Sequence, residues 1–402
     1  MKKRRLIGVF LVAIFSFSQF ISCGSTEVEA DSNTIVVWAN MKSSEIQELQ
    51  VLADNWGTEN NLKVKIVLSE GDGKTFLDTP EKGRPDILFG GLAEDTQLLS
   101  KGNAVEKVPE DLIQADEYVS KNLIQGTTFE GVQYGVPVTQ ETVALYYNKD
   151  IVDKVPESME KLTEVAKDKG FSFAMSNYYF SYGFIASQGG YLFKNNNGVF
   201  DYKDLGVNNE GAIKGYKFLQ DLVVKDKLFL GGATDIMASG QFTSGKTAFY
   251  IGEAGRVRTF KEAGINFGVG SIPTVDGKNV TPLKFIKMAC VSSNSEKKEA
   301  SWSLIKYLSK GTDEIFMKSG PYPPIYKTSL ESGTFKNDEN VKALYEQSLT
   351  SMLLPNVLEA KAFDMVINSF LTELFLGNIT PEQCGEYTEK ALTEDIKELF
   401  SY

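Results

Sequence analysis

From residue 34 onward, short apolar runs alternate with longer stretches in which apolar residues recur every three or four positions. That interleaving of strand and helix periods predicts an α/β architecture with largely parallel sheets. Residues 34–38, 62–68 and 85–89 read as strands. Between the first two, Ile46, Leu49, Leu52, Ala53 and Trp56 share one helical face, with Ser43 and Ser44 to cap it and Gly57 to close it. Trp56 is thereby assigned to the core. Gly90-Gly91 follows the third strand at its carboxyl end, where open α/β sheets bind ligands and missing side chains permit close backbone approach.

The run Val-Pro-Val-Thr-Gln-Glu-Thr-Val-Ala-Leu-Tyr-Tyr-Asn-Lys-Asp at 136–150 organises what surrounds it. Pro137 is expected to interrupt the pairing ladder, and the β-branched and aromatic residues 143–147 resume a buried strand. Such an interrupted strand reads as a crossover between two lobes. Glu141 sits at the interruption, where a carboxylate in an apolar strand has to face water or a bound ligand. Beyond it come a helix at 158–169, a strand at 171–175 and an aromatic-rich helix at 178–188 ending in Gly189-Gly190. An amphipathic helix then carries Ala212, Tyr216, Leu219, Leu222 and Val223 on one face. Strands at 265–272 and 284–292 are separated by a loop holding Pro273, Gly277 and Pro282, so the chain can recross there. A helix at 296–309 is expected to return to the first lobe, a third break falls at Gly320-Pro321-Tyr322-Pro323-Pro324, and helices at 340–352, 362–376 and 381–400 complete the second lobe.

The first 33 residues belong to neither lobe. Met1-Lys2-Lys3-Arg4-Arg5 is a basic leader, and residues 6–21 form an apolar segment too short and too serine-interrupted for a membrane span. The segment ends in Phe20-Ile21-Ser22-Cys23-Gly24, which resembles a bacterial lipobox with Phe in place of the usual Leu. Residues 1–22 are thus expected to be a lipoprotein signal, Cys23 the lipidated first residue, and residues 23–33 a flexible tether. Removing the leader takes away four basic residues and no acidic ones, moving the formal charge from −11 to −15. A nucleic-acid partner is not expected on that balance. Cys290 and Cys384, far apart in sequence, are expected to be buried free thiols.

The chain contains no histidine. Ser-His-Asp and Cys-His catalysis are therefore impossible, and transition metals lose their commonest ligand. No cofactor or metal is called for. Residues 240–247, Gly-Gln-Phe-Thr-Ser-Gly-Lys-Thr, match the spacing of a phosphate-binding loop, but a helix is expected before them and a strand after, the reverse of what that loop requires. Gly71-Asp72-Gly73-Lys74-Thr75 reads as a turn. A secreted glycan-cleaving enzyme remains the alternative, with Glu141 and either Glu253 or Asp364 as a carboxylate pair.

The mature chain resembles the extracellular solute-binding proteins of ABC importers, in the maltose/maltodextrin-binding branch. The likeness rests on Val36-Val37-Trp38-Ala39-Asn40, Gly83-Arg84-Pro85-Asp86-Ile87, Val136-Pro137 through Asp150, Gly189 to Lys194, Gly245-Lys246-Thr247-Ala248, Ile272-Pro273 and Leu354-Pro355-Asn356. It implies a two-lobe periplasmic-binding-protein fold of the type II kind, each lobe a mixed sheet flanked by helices, with three interlobe crossings. The implied lobes are 34–140 with 284–320, and 145–282 with 325–402. It further implies a monomer, anchored by lipid outside the cytoplasm, that binds a sugar or oligosaccharide and delivers it to membrane permease subunits.

Carried over position by position, the family's ligand contacts fall on Asn40, Lys42, Glu141, Tyr178 and Tyr179. The glutamate beside the aromatic pair is Asn177 in this chain. The stacking tryptophans fall on Gly90, Gly255 and Asp364, a neighbouring tyrosine on Met365 and an arginine on Asn368. Gly91, Glu94, Glu253 and Lys287 complete the candidate set. With three tryptophans gone, recognition is expected to shift from stacking toward charge-assisted hydrogen bonds, favouring a shorter, more polar ligand. Alternation allows only one of Lys284 and Lys287 to face the cleft, without saying which.

Overall fold

The computed structural model describes residues 32–399 except 70–71, 197–198 and 230–231. The leader and Cys23 lie outside the described residues. The strands are β1 (Thr34–Ala39), β2 (Lys63–Leu68), β3 (Ile87–Leu92), β4 (Thr128–Phe129), β5 (Val132–Gln133), β6 (Val136–Asn148), β7 (Phe171–Ser172), β8 (Tyr191–Asn196), β9 (Val199–Gly206), β10 (Phe249–Glu253), β11 (Phe267–Gly270), β12 (Leu283–Val291) and β13 (Met352–Leu353). One sheet has the order β2-β1-β3-β12-β6-β10-β7, with β11 also on β6 and β13 on β12. β1, β2 and β3 are parallel, whereas β6 and β12 enter antiparallel. β4–β5 and β8–β9 are separate hairpins.

This sheet serves two lobes because β6 runs through both. Its first half pairs with β12 and its second half with β10 and β11. In the second half, Val143 and Leu145 enter one core and Ala144 and Tyr146 another. Burial on both faces is why this stretch is continuously apolar. In the first lobe, the helices Ser43–Asn60 and Lys298–Ser319 cover one face with Leu49, Trp56, Trp302 and Leu308. Trp56 is core, as its spacing required. Cys290 and Cys384 are buried and free.

Four local expectations are corrected. Pro137 does not break β6: it lies opposite Met288 where the β6–β12 register shifts, and at such a bulge a residue without an N–H is tolerated. Of the segment 71–75, the described residues 72–75 form more than a turn. Asp72 accepts a bond from Thr75 N at 2.9 Å and caps the helix Gly73–Asp78, and Gly73 is needed because a side chain there would meet Asp95 at 2.6 Å. The helix expected to stop near 309 continues to Ser319, since Gly311 lets Leu52 of the helix Ser43–Asn60 pack against its backbone instead of ending it. The β8–β9 hairpin carried too little alternation to be foreseen. Asn33, assigned to the tether, already accepts a bond from Lys63 N at 2.9 Å.

The connections between lobes are tied to β6 through its even-numbered side chains. Gln140 Nε2 donates to Pro324 O at 2.9 Å, and Thr142 Oγ1 donates to Leu283 O at 2.8 Å and lies 2.8 Å from Ser351 Oγ. Further ties run from the segment after β13: Asn356 Nδ2 reaches Thr128 O at 2.7 Å, Leu358 N reaches Gln97 Oε1 at 2.6 Å, and Lys361 pairs with buried Asp95 at 2.5 Å. The third passage is anchored by Asp313, which is fully buried and accepts from Ile325 N at 3.1 Å and Tyr326 N at 2.9 Å. Burial raises its pKa to about 6, opposed by those N–H donors.

Replacing Asp313 with alanine leaves two buried N–H groups unmet and should cost about 2–4 kcal/mol of stability. Urea denaturation of parent and variant measures the loss.

Candidate ligand cleft

The odd-numbered residues of β6 point away from the ties just described. Thr139 lies opposite Lys287 and Glu141 opposite Phe285, so four side chains line one face of the β6–β12 ladder. Thr139 and Lys287 border a cavity of about 440 Å3 that is lined further by Asn40, Lys42, Glu45 and Tyr322, among others. Lys287 Nζ donates to Asn40 O at 3.1 Å. Lys284 points the other way: it is 2% exposed, and its Nζ donates to Ser348 O at 3.1 Å near the carboxyl end of the helix Glu339–Thr350. Lys287 is therefore the lysine of the cleft. Burial without a compensating anion lowers Lys284 to about 8.

Lys42 precedes the helix Ser43–Asn60, and its N–H donates to Glu45 Oε2 at 2.8 Å. Glu45 is held from its other oxygen by Ser319 Oγ at 2.6 Å, so it serves to fix the helix start. The Lys42 ammonium lies 3.9 Å from Glu45 and 5.3 Å from the centre of the Tyr322 ring. Gly255 faces this pair: a Cβ at that position would find its nearest neighbours, Lys42 Nζ and Tyr322 Oη, both 3.9 Å away. A Cβ is accommodated at Gly255. At Gly90 it is not: φ is +80°, and Asn40 O stands 2.8 Å from where a Cβ would sit. At Gly91 the nearest neighbour of a Cβ would be the end of the Leu88 side chain at 3.0 Å. At Gly90 the missing side chain thus permits the close approach of the Asn40 backbone.

The second lobe contributes Glu253 at the end of β10. Its pairing with Val143 puts it diagonal to Glu141 on the same side of β6. Glu141 is raised to about 7, first by burial and then by the charge of Glu253, against the opposing pull of Lys287 and Lys42. Glu253 is raised by burial, opposed by Lys42, and Lys287 is lowered by burial, opposed by Glu141. Tyr179 stacks on Phe285 with ring centres 4.4 Å apart, and its buried hydroxyl has no partner. Asn177 explains its departure from the family's glutamate by capping the helix Tyr178–Gln188, accepting from Tyr179 N at 3.0 Å.

A second cluster lies along the cleft. Tyr178 packs edge-on against Phe363 at 4.9 Å, and its N–H donates to Asn368 Oδ1 at 2.8 Å. Asn368 donates in turn to exposed Asp364 at 2.8 Å. Glu94, half-buried, is raised to about 7 by burial, opposed by Lys361. The candidates thus separate into a group around Glu141 and a group around Tyr178, with Gly90 and Gly91 packed beneath the first. Phe285, Tyr322 and Thr139 were missed. Phe285 stands two residues from Lys287 on one strand, so alternation marks it; Tyr322 lies in a proline-rich break with no period to read.

Residues 52–343 match the family model described as bacterial extracellular solute-binding protein. The chain belongs to that family. Across its whole length it is 26% identical to a maltooligosaccharide ABC transporter solute-binding lipoprotein of Streptococcus pneumoniae, spanning 98% of that protein. It is also 26% identical to a galactooligosaccharide-binding protein of Bacillus subtilis, with 99% of each chain aligned. Among solved structures, the maltose-maltodextrin binding protein of Alicyclobacillus acidocaldarius matches with a TM-score of 0.82 at 26% identity, over 90% of this chain and all of that one. Family membership places the protein outside the cytoplasm. Residues 240–247 start in the last turn of the helix Asp235–Thr243 and lead toward β10, the reversed order that excludes a phosphate loop.

Because the folded-state pKa of Glu141 lies above its ordinary value of 4.5, the folded protein binds more protons than the unfolded chain between about 4.5 and 7. Stability from this group is therefore lost as pH rises through that window. Ligand-free Glu141→Gln should melt higher than the parent at pH 8, with the gap closing toward pH 5. Calorimetric melting at the two pH values checks this.

Proposed function

We propose that this protein is the substrate-binding component of an ABC importer and carries a sugar or short oligosaccharide between its lobes. The observation that carries this is the cleft itself: charged groups from both lobes and the stacked Tyr179–Phe285 pair meet on one continuous strand pair, in a chain that aligns over its full length with oligosaccharide-binding relatives. The ligand contacts are Lys42, Thr139, Glu141, Tyr179, Glu253, Phe285, Lys287 and Tyr322, with Glu94, Tyr178, Gly255 and Asp364 farther along. The reduced stacking surface and the charged lining suit a short, polar ligand. Binding is non-catalytic.

In this reading the first lobe takes residues 34–140 and 284–326, because Ile325 and Tyr326 pack in its core. The second takes 145–282 and the rest. Closure about the β6–β12 ladder presents both lobes to the permease. The protein works as a monomer held to the membrane by lipid on Cys23.

A thermal-shift screen with maltotriose and galacto-oligosaccharides tests the function: ligand at 100 times its Kd should stabilise by about 2.7 kcal/mol. Small-angle scattering should show a smaller radius of gyration at saturation, and an unchanged profile argues against closure. Cys23→Ser should move the protein from membranes to the soluble fraction.

A further inference from the structure

Two carboxylates in the cleft lack any protein cation bonded to them. Lys287 gives its ammonium to Asn40 O, Lys42 lies beside Glu45 and Tyr322, and Arg256 is held by Asp235. Neither Glu141 nor Glu253 forms a side-chain hydrogen bond or ion pair among the described residues, and the strongest charge acting on Glu141 is the other carboxylate. A third group points into the same corner. The hydroxyl of Tyr179, on a side chain only 4% exposed, has no partner, and its strongest charged neighbours are Glu141 and Glu253. Thr139 Oγ1, 3% exposed and on the cavity wall two residues before Glu141, is unpartnered as well.

Buried polar atoms are left unmet in a folded protein when something else completes them. What completes this corner must bring hydrogen-bond donors. A sugar hydroxyl offers one proton and leaves the repulsion between two acids in place. An ammonium offers three N–H donors and a positive charge, which removes that repulsion and forms charge-assisted bonds. The Tyr179–Phe285 stack beside the acids provides an apolar wall for a ring.

We infer that Glu141, Glu253 and Tyr179 form a subsite for a protonated amine on a sugar, so that the ligand is an amino sugar or a short oligosaccharide bearing a free amine. This rests on the sugar-binding reading above. Glu253 is the residue that sets the preference, since Glu141 alone could be neutralised by Lys287. Facing this corner are Lys287 from β12, Lys42 just before the helix Ser43–Asn60 and Glu45 within it, Tyr146 from β6, Tyr179 from the helix Tyr178–Gln188, Tyr322 from the third passage and Arg256 from the helix Arg256–Glu262. Burial raises both glutamates above the ordinary carboxylate range, Glu141 to about 7.

The test is titration calorimetry with three probes: the β-1,4 disaccharide of glucosamine, its N-acetylated counterpart, which is neutral, and maltotriose. At pH 7.5 the free amine should bind about tenfold or more tighter than the acetylated form. That ratio should fall toward one in Glu253→Gln. Equal or tighter binding of the acetylated sugar, or a ratio that survives in a folded Glu253→Gln, overturns the inference. Binding of the neutral sugars alone sinks it while keeping the sugar-binding reading; binding of none of the three removes both. If Glu253→Gln does not fold, the parent's ratio still decides.

Discussion

Everything in this molecule depends on the antiparallel ladder between β6 and β12. Its two faces have separate duties. Even-numbered side chains of β6 hold the interlobe passages, Gln140 through Pro324 and Thr142 through Leu283 and Ser351. Odd-numbered ones, Thr139 and Glu141, open on the cleft beside Lys287 and Phe285. A slip of one residue would exchange the two sets, burying a carboxylate and an ammonium in the joints. Register here is thus at once a matter of stability and of recognition.

The electrostatics of the cleft follow from where the lysines are spent. Opposite charges close together in a poorly solvated site would normally neutralise one another. In this cleft the ammonium of Lys287 goes to a backbone carbonyl at 3.1 Å, and Lys42 remains with the glutamate of its own helix start. Local geometry, not net charge, leaves Glu141 and Glu253 facing each other. The same principle separates Lys284 from Lys287: three residues apart on a strand, one is enclosed by a helix end and the other meets the cavity.

Much of the architecture was legible because it rests on periodicity. The helix Tyr178–Gln188 falls where its aromatic pattern and flanking glycines put it, and the strand–helix alternation announced two α/β lobes. What was not legible turns on contacts between distant residues. Gly311 looks like a helix stop until Leu52 is seen to need its backbone, and Pro137 looks like a strand break until Met288 supplies a bulge. At the site, Glu141 stood out because a charge in an apolar strand is anomalous. Phe285 did not, because a phenylalanine in a strand is ordinary, and only the neighbouring lysine of the same parity gives it away. Gly90 and Gly255 read alike in sequence yet differ in space, since one is closed over by Asn40 O and the other is open.

The division of labour along β6 also bears on how such proteins diverge. Four positions, 139, 141, 285 and 287, carry their side chains into the cleft while their backbones complete the ladder. Substitution at any of them rewrites what the cleft recognises without touching a hydrogen bond that the fold requires. A lineage can therefore change its nutrient while inheriting its scaffold intact, and chains that retain only about a quarter of their residues in common still superimpose over nearly their full length.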